Sequence, residues 1–141
     1  MVKEIFFCTI GSAFFAITMN IPRYCLKYAF IGAFITATTE RLLADFYGEL
    51  ISCMMAMICL SFFSEAVARI VKVPTTIIVL PSTIPLLPGS AIYYSMLYGI
   101  GGNSQLFTYY LKSTIFTGLG IALGTIVSHI FINITNRKNQ R

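Results

Sequence analysis

Apolar positions along this chain come in long, nearly unbroken runs, without the period-two alternation of a half-buried strand. Five runs stand out, at about 5–21, 28–46, 50–68, 75–99 and 108–132, and polar or basic residues gather between them. Each run approaches the roughly 20 residues a helix needs to cross a bilayer. The pattern predicts an all-α polytopic membrane protein with about five transmembrane helices, in a single domain over 1–141. The second run, "YAFIGAFITATTERLLADF", is the least hydrophobic. The fourth is interrupted by Pro81, Pro85, Pro88 and Gly89.

Composition agrees with the pattern. The chain is 57% hydrophobic and 11% charged, against about 25% charged in soluble domains, so 141 residues leave no room for a soluble domain beside the spans. Lys3 followed by an apolar run resembles a signal peptide, but further runs follow, which favours a first span. The four cysteines form no C-x-x-C pair, and with one histidine and no clustered carboxylates neither a metal site nor a cofactor is expected.

The net charge of +5 sits between apolar runs, where it sets orientation rather than binding nucleic acid. With five crossings, one side receives Arg23, Lys27, Arg69, Lys72, Arg137, Lys138 and Arg141. The other receives Lys3, Arg41 and Lys112, with Glu4, Glu40, Asp45 and Glu49. The basic excess predicts a cytoplasmic C-terminus and an outside N-terminus in the cell (inner or plasma) membrane. Tyr24 and Tyr28 then fall at the inner interface, and Tyr47, Tyr98, Tyr109 and Tyr110 at the outer one, a depth that suits amphipathic rings.

Small residues recur at helical spacing: Ser12 and Ala16; Ala29, Ala33 and Ala37 with Gly32 and Thr36 beside them; Gly120, Gly124 and Ser128. In lipid, helix association rests on close packing and polar contacts, so these stripes predict helix–helix seams within the chain or with another subunit. Glu65 precedes Arg69 by four residues, a spacing for an interfacial ion pair. Its alternative is a coupling carboxylate that carries protons or faces substrate. Glu40, next to Arg41, carries the same two readings, and His129 reads as interfacial.

The prolines define the fourth run. Each lacks a backbone N–H and clashes with the carbonyl four residues earlier in a helix, so a straight helix through 77–88 is excluded. Freed carbonyls within a membrane need protein or water around them, and discontinuous helices of transporters build substrate sites in this way. A half-helix starting after Pro88 presents free amides and a positive dipole end, suited to a carboxylate. Ser82, Thr83, Pro85, Pro88, Gly89 and Ser90 are therefore the candidate substrate-binding residues. A packing kink is the alternative.

The run "VPTTIIVLPSTIPLLPGSAIYYSML" resembles the membrane half of the threonine/serine exporter family. There a valine-proline step precedes I-P-L-V-P-G, a small residue and a tyrosine. The matching residues are Val73-Pro74, Ile84 to Gly89, Ser90 and Tyr93. Asn20–Arg23 matches the family's N-x-P-R step, and Ser64–Pro74 its A-E-x-x-A-R-x-x-x-V-P run. Thr38, Thr39 and Glu40 depart from a run that is usually more apolar and aromatic. The length resembles the small-subunit type, in which the C-terminal membrane half is a separate protein. The resemblance implies a membrane subunit of a secondary exporter of threonine and serine or of dicarboxylates. It also implies assembly as an oligomer with a larger membrane subunit.

Two other functions are weighed against that one. A non-transporting subunit that stabilises a partner suits the small-residue stripes. An intramembrane enzyme is disfavoured, because His129 stands without a nucleophile-elbow pattern. The protein is expected not to be an enzyme.

Overall fold

The computed structural model describes residues 2–139. The side chains of 2–4, 133 and 135–139 lie outside that description, and so do residues 1, 140 and 141. Of the charges used above to set orientation, Lys3, Glu4, Arg137, Lys138 and Arg141 are therefore not placed. The described residues are all-helical: α1 (Val2–Thr18), α2 (Arg23–Val71), α3 (Thr76–Ser82), a 3-10 turn (Ile84–Leu86), α4 (Gly89–Ile100) and α5 (Ser104–Asn139).

The connectors stop the helices by recognisable chemistry. After α1, Asn20 takes a left-handed conformation with φ 57°. The Asn20 amide donates to Ile17 O and the Ile21 amide to Ala16 O, the paired bonds of a Schellman cap. Pro22 then precedes α2. Lys72, at φ 58°, ends α2 in the same hand, and the Val73 amide reaches back to Ala68 O before Pro74. Between α4 and α5, Asn103 accepts the Leu106 amide at 3.3 Å as the N-cap of α5.

α2 is 49 residues long, which would make roughly 74 Å of straight helix. It is not straight. Gly48 has φ 77° and ψ 170°, a region essentially reserved for glycine, and it turns the chain back on itself. A Cβ placed on Gly32 would lie 3.2 Å from Leu60 Cδ1, although the two positions would be roughly 42 Å apart in a straight helix. α2 is thus a helical hairpin with arms 23–47 and 49–71, close to the second and third apolar runs.

The second arm is the centre of the molecule. Its Cys53, Ala56, Met57 and Leu60 form the buried cluster with Leu86 of the 3-10 turn, and Val79 and Ile121 pack on it. α5 lies alongside through the glycines of the fifth run. A Cβ on Gly120 would fall 2.6 Å from Leu50 O, and one on Gly124 2.7 Å from Met54 O. Because both registers advance together, α5 runs parallel to the second arm. The small-residue stripes are seams inside this chain: Ser12, Ala16, Ala29, Ala33 and Ser128 are all buried.

The outside is greasy. Phe7, Phe14, Phe34, Phe46, Ile100 and Phe131 are among many large apolar side chains left exposed, far beyond the modest patches of a soluble monomer. By length and composition α2 and α5 each suit a membrane. So does the pair Thr76–Leu86 and Gly89–Ile100 taken as one span, bent by 48° at its break.

Candidate functional site

The break in the fourth run is built by the prolines one at a time. Pro81 is accommodated inside α3. Pro85 is the second residue of the 3-10 turn, Leu87 is extended at φ −68° and ψ 127°, and Pro88 stands before α4. Two of the carbonyls at the break meet hydroxyls from other helices. Pro85 has no N–H to give Pro81 O, and Ser12 of α1 donates its hydroxyl there. The Leu86 amide turns to Thr83 O rather than to Ser82 O, and Thr36 of the first arm donates to Ser82 O at 2.8 Å. In return the Ser82 hydroxyl donates to Ala29 O at 3.0 Å. Irregular backbone at the break is thus served by protein hydroxyls. Gly32 makes the approach possible, since a Cβ there would lie 2.5 Å from Ser82 Oγ.

Beside this seal lies a cavity of about 320 Å³, at the small end of ligand pockets, which run about 300–1,000 Å³. Every element except α3 contributes. α1 supplies Ile5 and Cys8, and the first arm supplies Ala37, Glu40 and Arg41. Glu49 and Cys53 come from the second arm. Pro85 to Pro88, Ser90 and Ala91 come from the break and the start of α4, and Ser113 and Thr117 from α5. Arg41 Nε lies 3.5 Å from Glu40 Oε2. α4 begins without a side-chain cap, which leaves the Ser90 and Ala91 amides in its first turn without intrahelical acceptors.

The six residues proposed for substrate separate in space. Pro85, Pro88 and Ser90 line the cavity; Ser82, Thr83 and Gly89 do not. Ser82 is sealed at 0% exposure with its hydroxyl committed. Thr83 Oγ1 donates back to Val79 O at 2.8 Å. Gly89 is exposed, with open space where a Cβ would go.

The two carboxylates proposed for coupling also separate. Glu40 lines the cavity. Glu65 is near the other end of the second arm, where Arg69 Nε lies 3.0 Å from its Oε1 and the Thr75 hydroxyl donates to its Oε2 at 3.3 Å. It ties the end of α2 to the start of α3.

Sequence reasoning did not single out Glu49, Cys8, Ser113 and Thr117 as cavity residues. They come from three separate helices, and only the order in which those helices pack brings them together. No group of histidine, cysteine and carboxylate side chains suited to a metal occurs among the described residues.

A comparison with protein families matches residues 4–131 to the one described as Threonine/Serine exporter, ThrE. Neither the curated proteins nor the solved structures contain a match to the chain.

Proposed function

Because the chain belongs to the threonine/serine exporter family, we propose that it is a membrane subunit of a secondary exporter whose substrate passes by the cavity at the broken span. Membership in the family and the apolar helices put the protein in a membrane, as a component of threonine/serine export. The observation that carries the finer reading is convergence. The uncapped start of α4, a charged pair and the hydroxyl-bearing face of α5 all border one small cavity. Ser90 and the first-turn amides of α4 receive the substrate carboxylate. Pro85 and Pro88 hold that turn in place, while Ser82 and Thr83 serve the seal behind it. Glu40, paired with Arg41 at the cavity, is the better-placed coupling carboxylate, and Glu65 is a structural tie.

In this reading each arm of α2 crosses the membrane once. With α1, the broken span and α5 that makes five crossings, the N-terminus outside and the C-terminus cytoplasmic. Five crossings leave the cavity bordered by few helices, so a larger membrane subunit of the same exporter completes the path.

Export of labelled threonine from intact cells tests the site. Ser90→Leu places a bulky side chain at the cavity wall and is expected to abolish export with assembly intact. Gly89→Ala, one residue away in open space, should export as the parent does. Equal export by the two variants would remove the cavity from the pathway.

A further inference from the structure

The charges around the cavity carry a preference between the two substrate classes the sequence leaves open. Glu40 and Arg41 are adjacent, with Nε and Oε2 3.5 Å apart, so their formal charges offset one another. Glu49 is different. It follows the Gly48 corner, lines the same cavity, and makes no hydrogen bond or ion pair among the described residues. The described side chains of the wall therefore carry one net negative charge, held by Glu49. The first turn of α4 borders the same cavity and offers amides and a positive dipole end. The site thus has one pole for a cation and one for an anion.

We infer that Glu49 is a specificity-determining residue: it receives the ammonium group of a zwitterionic amino acid and thereby disfavours dicarboxylates. This rests on the cavity being the substrate site. A zwitterion brings one charge to each pole. A dianion satisfies only the α4 pole and leaves its second carboxylate beside Glu49, a like-charge contact that specific sites use to reject wrong ligands. A hydroxy acid lacking the amino group leaves Glu49 without its partner.

Cysteine alkylation in native membranes separates the failure of this inference from failure of the site. Cys8 is exposed and lines the cavity, whereas Cys59 is exposed but does not. Mass spectrometry can therefore follow protection at Cys8, with Cys59 as the internal reference. Threonine is expected to slow alkylation of Cys8 and to leave that of Cys59 unchanged. In the unaltered protein, 3-hydroxybutanoate and succinate should each need at least about tenfold higher concentration for the same protection, the scale of one lost charged hydrogen bond. Glu49→Gln should raise the threonine requirement by a similar factor, and Glu49→Asp should restore much of it. If threonine protects Cys8 but succinate or 3-hydroxybutanoate protects equally well, the inference fails and the site survives. If Glu49→Gln binds threonine as the parent does, the outcome is the same. If threonine does not protect Cys8 at all, both fall. The ligand series needs no variant, so poor assembly of Glu49→Gln leaves the test intact.

Discussion

Thr36 has one proton to donate and three carbonyls within reach: Ser82 O at 2.8 Å, Ala33 O at 2.9 Å and Gly32 O at 3.0 Å. The last two lie inside α2, where helix amides serve them. Ser82 O is the one that the break deprives of an amide, so that is where the hydroxyl matters. A buried carbonyl left without a donor costs about 1–3 kcal/mol. Thr36→Val keeps the shape and removes the donor, and is expected to lower the thermal midpoint of the purified protein, whereas Thr36→Ser should leave it near the parent value. Equal midpoints for the two would mean that Ser82 O finds another donor and that the seal is not what holds the break. The same bonds explain what sequence reading missed. Ser12 and Pro81, and likewise Thr36 and Ser82, are far apart along the chain. A hydroxyl next to a proline break reads as substrate-facing until the helix behind it is known. Ser82 faces Ala29 and Gly32 instead.

At the scale of elements, the glycines divide by what they touch. Gly120 and Gly124 lie against the backbone of the second arm, and a Cβ on either would come within 2.7 Å of a carbonyl oxygen. Gly118, on the same helix, has nothing within 4 Å. Overpacking of this kind costs about 1–3 kcal/mol. Gly124→Ala should therefore destabilise the protein and lower its yield in membranes, while Gly118→Ala should be silent or slightly stabilising through helix propensity. Comparison of the two yields by quantitative blot checks this, and a silent Gly124→Ala would place the seam elsewhere. The stripes were legible because helical spacing alone reports a face. Their partners were not, because spacing says nothing of which helix lies opposite. The corner of α2 was legible in outline, since the apolar pattern weakens between 46 and 50. Its tightness was not: a single residue, Gly48, makes the reversal where a connecting loop would be the ordinary expectation.

For the molecule as a whole, the reversal at Gly48 is what the proposed five crossings depend on. If Arg23–Val71 crossed a membrane once, Arg23 and Lys72 would lie on opposite faces, and the basic clusters on either side of α2 would oppose each other. Folded back so that Gly32 meets Leu60, the hairpin returns Arg23 and Lys72 to one side and leaves Glu40, Arg41, Asp45 and Glu49 toward the other. That arrangement is the one the proposed orientation requires of these residues. α5 and the second arm run parallel, so in the proposed topology both cross in the same sense. Single cysteines in a chain stripped of its native four give the test, with a membrane-impermeant maleimide applied to intact cells. Tyr47→Cys at the hairpin corner and Asn103→Cys between α4 and α5 should label from outside. Arg23→Cys and Lys72→Cys should label only after the membrane is opened. The decisive comparison is between the last two. Labelling of one but not the other from outside would make α2 a single crossing, and the cavity, which needs both arms to bring Glu40 and Glu49 together, would lose its wall.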